Sequence, residues 1–343
     1  MMFVSRLRNW AEHSVGAAES DDAVVVKTTR YLRLAIVTMV IGLSTAVLYE
    51  HSKSHLKGVD SGHCWQHSIS AYYYTPVQSV FVGALVAIGI SLIALKGSTE
   101  LEDVFLNFAG ILAPVVAFVP TPNVGECGSI LTDTTNRGTN ISNNVTAVLV
   151  MAGVAFLVLG ALRALDRPVT GVPGAPAHAD EASAHRIAVY GYGLALALYV
   201  AAWVVFLADR EWFNANAHWS AAITMFVFIW LAVVNNAINF HFTRKKVVAA
   251  QHAAEEAGGA KPPKRVNRYL AIALLMPAAL VIILATPWFG DYDTIWLEAS
   301  MIALFAVFWV LQTQELWNHG LRSPDTRTGA LQQPQGAEER DAG

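Results

Sequence analysis

The chain has 343 residues, of which 54% are hydrophobic and only 14% are charged. Soluble domains carry about 25% charged residues, so this composition excludes an ordinary soluble protein and indicates an integral membrane protein. The net charge of −3 gives no electrostatic signature of nucleic-acid binding, and we expect no nucleic-acid partner.

Eight apolar runs are long enough to cross a hydrocarbon core of about 30 Å as helices. They predict an all-α fold, a polytopic bundle of about eight transmembrane helices. Pro114 and Pro277 fall inside two of the runs and are expected to kink these helices without ending them. The predicted spans are residues 31–49, 77–95, 104–119, 145–165, 187–207, 217–240, 269–287 and 294–312.

The basic residues predict the orientation of the bundle. If the N-terminus is cytoplasmic, all but four of the 23 lysines and arginines fall on the cytoplasmic side, and only Lys53, Lys57, Arg137 and Arg210 lie outside. This asymmetry is typical of a protein with both termini in the cytoplasm. We therefore expect a location in the plasma (inner) membrane.

The flanks of the membrane domain, which we place at residues 31–317, differ in character. Residues 1–30 form a cytoplasmic segment, either an amphipathic helix at the membrane interface or a solvated terminus. Residues 318–343 are rich in Gly, Pro, Gln and charge, and this composition predicts a disordered cytoplasmic tail.

A polar, histidine-rich segment lies between the first two runs and is predicted to face away from the cytoplasm. Two histidine pairs in it have the four-residue spacing that brings side chains to one helical face, His51 with His55 and His63 with His67. They are candidate zinc ligands. A solvated loop whose histidines cap helices, and a pH-responsive surface, are the alternatives.

Other polar side chains are predicted to lie at the same end of the bundle and to form an outward-facing mouth. Glu298 is the most informative, because a carboxylate inside an apolar run must face the bundle interior or water, or reach the headgroups. Membrane lipids are the expected partners, with a lipid headgroup or small ligand in the mouth. The candidate ligand-pocket residues are Glu50, Asp60, Ser68, Ser70, His218 and Glu298.

The two cysteines, Cys64 and Cys127, lie in the first and second predicted external loops. That compartment allows disulfides to persist, and a bridge between them is the preferred interpretation. Free thiols, or a pair of zinc ligands, are the alternatives.

Two further patterns predict helix packing. Asn235, Asn236 and Asn239, with His241, lie at the inner end of the sixth run and favour hydrogen bonds between helices. Small residues at four-residue spacing predict close helix contacts in the second and fifth runs: Ser79, Gly83 and Ala87, and Gly193, Ala197 and Ala201.

Several segments resemble a group of uncharacterised bacterial multi-pass membrane proteins: SISAYYYTPVQSVFVGALVAIGISLIALKG (68–97), EDVFLNFAGILAPVVAFVPT (102–121), AHWSAAITMFVF (217–228) and EASMIALFAVFWVLQTQELW (298–317). More distantly, the pattern is similar to the CREST membrane hydrolases. That resemblance implies a zinc site with an HxxxH in the last span and a nearby serine, for which Ser68 or Ser70 could stand. The last run here holds no HxxxH.

These patterns leave three functions open. The first is a membrane protein that engages a lipid headgroup or small ligand at its outer mouth. The second is an extracytoplasmic metal-dependent lipid hydrolase, in which the histidines hold zinc and Glu50 or Asp60 acts as base. The third is a small-solute transporter or channel.

Overall fold

The computed structural model describes residues 21–53, 64–122, 127, 136–165, 179–255, 267–285 and 293–317. These residues form eight α-helices and one 3-10 helix, Ser70–Tyr74. The α-helices are α1 Asp21–Lys53, α2 Gln78–Ala94, α3 Glu100–Phe118, α4 Arg137–Leu165, α5 Ala179–Ala208, α6 Arg210–Glu255, α7 Arg268–Ala285 and α8 Asp293–Glu315.

Seven of these helices are long and apolar enough to cross a membrane, and α2, with 17 residues, is shorter. The all-α membrane bundle is therefore confirmed, whereas the count of eight spans and the orientation stay predictions. Pro114 and Pro277 both lie inside helices, as predicted. Residues 1–20 and 318–343, which carry the predicted interfacial segment and tail, lie outside the described residues.

Six helices, α1, α2, α3, α6, α7 and α8, share one apolar core, and α3 packs most extensively, against α2 and α6. Gly89 on α2 and Gly110 on α3 make this packing possible. A Cβ atom added to Gly89 would lie 2.7 Å from the Gly110 carbonyl oxygen, and one added to Gly110 would lie 2.6 Å from that of Gly89. Only glycine allows the two backbones to approach so closely.

The predicted small-residue packing faces are wrong. Ser79 and Gly83 on α2 are exposed, and so are Gly193 and Ala197 on α5. A Cβ atom added to Gly83 or Gly193 would meet no atom within 4 Å. The core face of α2 instead carries Phe81, Ala84, Ile88, Gly89 and Leu92. The backbones of α2 and α3 approach closely where Gly89 meets Gly110, and elsewhere bulky apolar side chains fill the space between the helices.

Helices α4 and α5 lie at the periphery of the bundle. Only 11% and 6% of their most apolar stretches are buried, against 50% for α3. Both pack on α3 and on each other, and Tyr192 on α5 donates a hydrogen bond to the Phe156 carbonyl of α4 at 2.9 Å. Most of their apolar surface therefore faces the surroundings, which in a membrane are lipid tails.

Candidate functional site

The segment of residues 64–77, which leads into α2, folds over one end of the bundle. Cys64 lies at disulfide-bonding distance from Cys127, with Cα atoms 5.8 Å apart. This confirms the predicted pairing of the two cysteines. The side-chain amide of Gln66 donates a hydrogen bond to the Cys127 carbonyl beside the bridge. We call this the disulfide end of the bundle, and the opposite end, which carries Arg30 and Lys96, the basic end.

Aromatic stacking fixes the start of the 64–77 segment on α1. The ring of His51 stacks on Trp65 with centroids 3.6 Å apart, and its Nδ1 lies 2.9 Å from the Cys64 carbonyl oxygen. Trp65 in turn contacts Trp296 of α8, with centroids 5.8 Å apart. His51 thus joins α1 to the segment that carries Cys64.

The predicted zinc ligands divide between the described and undescribed parts of the chain. His51 stacks on Trp65, and His67 is exposed. Within the described ranges no group of three His, Cys, Asp or Glu side chains could hold a metal ion. His55 and His63, like Asp60, lie outside the described residues. Zinc binding stays a prediction.

The middle of the 64–77 segment is buried and rich in tyrosine. Ser68 Oγ accepts a hydrogen bond from the Ala71 amide at 3.0 Å, at the start of the 3-10 helix. Burial raises the pKa of Tyr72 to about 12, with a contribution from the negative charge of nearby Glu50. Burial also raises the pKa of Tyr74, whose hydroxyl donates to the Thr121 carbonyl at 2.6 Å. Both phenols therefore stay neutral at physiological pH.

Glu298 of α8 receives backbone hydrogen bonds from this segment. Its Oε2 accepts from the Ile69 amide at 2.6 Å and from the Ser70 amide at 3.3 Å, and its Oε1 accepts from Ser70 Oγ at 3.3 Å. Each carboxylate oxygen has two lone pairs, so Oε1 keeps one acceptor position. Glu298 thus faces the bundle interior, which is one of the three orientations that the sequence left open.

A narrow cavity of about 60 Å³ extends from Glu298 and Ser70 into the bundle. On α2 it follows Phe81 to Leu92, about 16 Å at about 1.5 Å per residue. All other lining side chains are apolar: Val40, Leu43, Ile69, Phe81, Leu85, Ile88, Leu92, Val116, Ala222, Met225, Phe226, Ile229, Ile302 and Phe305. The cavity is therefore an apolar channel with a carboxylate and a hydroxyl at one end.

His218 of α6 is fully buried at the disulfide end. Its Nδ1 lies 2.6 Å from the Val119 carbonyl oxygen and donates to it, and its Nε2 has no hydrogen-bond partner among the residues that the structure describes. Arg137 donates to the next carbonyl, that of Pro120, at 2.9 Å. His218 and Arg137, with Tyr74, thus hold the 119–121 segment through three successive carbonyls.

Of the predicted pocket residues, the structure brings Ser70 and Glu298 into contact and places Ser68 beside them. Glu50 is half-buried near Tyr72. No hydrogen bond joins His218 to Glu298 among the described residues, and His218 instead braces the end of α3. Asp60 lies outside the described residues.

A carboxylate that is fully buried, Glu102, was missed because it lies just before the predicted third span. It is at the basic end of the bundle. Its Oε1 accepts from Asn236 Nδ2 at 2.7 Å and from Gln312 Nε2 at 3.0 Å, and its Oε2 accepts from the Ser98 amide at 2.8 Å. The sequence signal is the capping box from Thr99 to Glu102.

The same network confirms the predicted role of the asparagines of α6. Asn236 bonds Glu102 of α3, and Asn235 Nδ2 donates to Thr99 Oγ1 at 2.7 Å. Hydrogen bonds between helices are thus their observed use.

The geometry at the disulfide end limits the chemistry that the site can perform. A half-buried carboxylate with a remaining acceptor position can bind an ammonium or a hydroxyl group. The cavity below it, at about 60 Å³, admits a hydrocarbon chain only if the apolar side chains around it move apart. Comparison of the chain with protein-family models, with curated proteins and with solved structures finds no match. The function is therefore inferred from the chemistry of the site itself.

Proposed function

We propose that this integral membrane protein binds a single-chain amphiphile, with its polar head at Glu298 and its alkyl chain in the apolar cavity. The observation that carries the proposal is the junction of a half-buried carboxylate with a cavity that is otherwise lined by apolar side chains, apart from Ser70. Ligand pockets typically combine such an apolar wall with a few polar groups that orient the ligand.

The head of the ligand is predicted to be a hydrogen-bond donor. Glu298 already accepts three hydrogen bonds, and its free position on Oε1 requires a fourth donor. An amine or a hydroxyl supplies one, and an amine adds a favourable charge interaction. A carboxylate head would be repelled by Glu298 when that side chain is ionised.

The chain of the ligand is predicted to be unbranched. The cavity is long and narrow, and Met225 and several leucines line it. These side chains are flexible enough to move aside for a thin alkyl chain. Burial of each methylene contributes about 0.8 kcal/mol relative to water, although a chain already in lipid gains much less.

The site is proposed to open to the extracytoplasmic face of the plasma membrane. The distribution of basic residues supports this orientation, because only three lysines and arginines of the described residues, Lys53, Arg137 and Arg210, lie at the disulfide end, and the others lie toward the basic end. The alternative function, a small-solute transporter or channel, has less support. The shared core between Glu298 and Glu102 is apolar in the described residues and offers a polar solute no path.

The test uses three alkyl probes that differ only in the head group. The purified protein, reconstituted in nanodiscs, is incubated with dodecylamine, dodecanol or laurate, and the retained probe is quantified by mass spectrometry. We expect retention of the amine and the alcohol but not of laurate. Glu298→Gln should weaken retention of the amine about tenfold, which is the loss of one charge-assisted hydrogen bond.

A second variant tests the chain separately. Ala222 lines the cavity and is buried, so Ala222→Leu should reduce retention of both the amine and the alcohol. Matched controls are Ala155→Leu on the exposed face of α4 and Glu211→Gln at the exposed start of α6. Equal retention of all three probes by the wild type, or normal retention by folded Glu298→Gln and Ala222→Leu, would overturn the proposal.

A further inference from the structure

A second concave region, separate from the cavity, lies between α4 and α6 at the disulfide end. It is an open groove of about 1,020 Å³. Polar residues line its upper part, near the start of both helices, and apolar residues follow further along α4. The lining residues are Gly138, Thr139, Ser142, Asn143, Thr146, Ala147, Val150, Met151, Arg210 and Asn214.

Arg210 is held in a defined position at the top of the groove. Its Nη1 donates a hydrogen bond to Ser142 Oγ at 2.9 Å, and its guanidinium carbon lies 5.0 Å from the centroid of the Phe206 ring. The side chain is nevertheless exposed. The remaining guanidinium N–H groups are therefore available to a ligand in the groove, in a fork that suits phosphate oxygens.

The charge of the groove is unbalanced. Arg210 is the one charged residue among the described residues that line it, and no carboxylate there lies within ion-pair distance of its guanidinium. The neighbouring Asp209 caps α6, with its Oδ1 accepting from the Trp212 amide at 2.9 Å. The upper groove thus presents one positive charge together with hydroxyl and amide groups.

The lower groove is apolar and faces outward from the bundle. Val150 and Met151 of α4 are 52% and 61% exposed, and both lie inside a helix that can span a membrane. The groove exists because α4 packs on α3 and α5 and makes only slight contact with α6. A molecule that fills it must be polar and anionic at the top and apolar below.

We propose that this groove binds one anionic phospholipid. The lipid phosphate binds Arg210 and the nearby hydroxyl and amide donors of Ser142 and Asn143, and one acyl chain lies along Val150 and Met151. A zwitterionic lipid has the same phosphate, but its cation finds no carboxylate among the described residues of the groove. Net charge therefore favours the anionic headgroup.

The test measures lipid selectivity. The protein in neutral detergent is titrated with dioleoyl phosphatidylglycerol or dioleoyl phosphatidylcholine, and bound lipid is counted by native mass spectrometry. We expect the wild type to bind phosphatidylglycerol more tightly. Arg210→Gln should weaken phosphatidylglycerol binding about tenfold and weaken phosphatidylcholine binding less, because the lost positive charge matters most to the anionic lipid. Arg210→Lys should restore part of the affinity, because it keeps the charge but not the fork.

Three controls distinguish a specific lipid site in the groove from general electrostatic attraction of anionic lipid to the protein surface. Lys53→Gln removes another cation predicted at the same face, away from the groove, and should leave binding unchanged. Ala147→Trp fills the apolar part of the groove and should weaken binding while Arg210 remains. Inorganic phosphate should fail to displace the lipid, because it lacks the chain.

Several results would overturn the proposal. Equal affinity for the two lipids indicates only the annular contact that any membrane protein makes. Equal losses in Arg210→Gln and Lys53→Gln indicate a diffuse surface potential. Displacement by inorganic phosphate, together with normal binding by Ala147→Trp, indicates an anion site without a lipid chain.

Discussion

Two carboxylates accept hydrogen bonds from other parts of the bundle, Glu102 near the basic end and Glu298 near the disulfide end, and they are held in different ways. Glu102 accepts from the amide side chains of α6 and α8 as well as from the Ser98 amide, and it does not line the cavity. Glu298 accepts mainly from backbone amides of the irregular 64–77 segment and faces an apolar channel. Burial of a carboxylate alone therefore does not identify a ligand site. The groups that donate hydrogen bonds to the carboxylate and the cavity beside it distinguish Glu298 from Glu102.

The difference has a structural consequence. Two of the three donors to Glu102, Asn236 and Gln312, lie on helices, so that carboxylate joins α3, α6 and α8 at the basic end. The donors to Glu298 lie in a segment whose position depends on the Cys64–Cys127 pair, on the stacked His51 and Trp65, and on the buried tyrosines. We therefore expect the Glu102 cluster to determine stability and the Glu298 region to respond to changes in the 64–77 segment.

The largest effect is expected for Glu102→Ala. This change removes one of two acceptors from each of the buried side-chain amides of Asn236 and Gln312, which otherwise donate to the Ala232 carbonyl and to Asn236 Oδ1. One N–H of each amide loses its partner, at a cost of about 1–3 kcal/mol each. The free energy of unfolding in detergent should fall by about 3 kcal/mol or more. Glu100→Gln, in the same turn but paired with Lys96 at the surface, should cost less than about 1 kcal/mol. Equal losses would contradict the distinction.

Removal of the disulfide should act on the Glu298 end alone. Cys64→Ser with Cys127→Ser opens a cross-link between residues 63 positions apart, and such cross-links typically contribute about 2–4 kcal/mol. Amide hydrogen exchange should accelerate in residues 64–77 and stay unchanged in residues 98–103, beside Glu102. Faster exchange at both ends would mean that the two regions are coupled.

Alkaline pH should also destabilise the disulfide end. The folded protein holds the Tyr72 proton to about pH 12, whereas a phenol in the unfolded chain releases it near pH 10.0. The contribution to stability is therefore full below pH 10 and is lost as the pH rises toward 12, at a total of about 3 kcal/mol. Tyr72→Phe should reduce the fall in the free energy of unfolding between pH 10 and pH 12. Tyr190→Phe, at a 73% exposed position, should leave that fall unchanged.

The smallest effect is expected for Asn235→Ala, which removes the half-buried bond to Thr99. A hydrogen bond of this kind contributes about 1 kcal/mol. The free energy of unfolding should fall by about that amount, and dodecylamine retention should not change. A loss of retention would show that the basic end shapes the cavity after all.

The helices of this fold could be predicted because lipid imposes a simple requirement. A run of apolar residues near 20 long must be helical to satisfy its backbone. Each predicted run overlaps one of the helices α1 to α8, although α1 begins at Asp21, before its run, and α6 ends at Glu255, beyond its run. The disulfide could be predicted because only two cysteines exist. The helical packing faces could not, since Gly83 and Gly89 look alike in the sequence and only Gly89 meets another glycine.

The candidate site was predictable only in part. Glu298 stood out as a carboxylate inside an apolar run, but its partners come from a segment that is more than 220 residues away in the sequence. No local pattern predicts such a contact. Glu102 was missed because a capping glutamate at a helix start is common, and only the tertiary fold brings Asn236 and Gln312 to it.

The most direct test of the proposed function is photolabelling with a dodecylamine that carries a diazirine at the end of its chain. The account predicts cross-links to cavity-lining residues deep in the bundle, such as Leu92 or Ile229, which Ala222→Leu abolishes and unlabelled dodecylamine competes away. Labels confined to the exposed faces of α4 and α5, unchanged by Ala222→Leu, would contradict it.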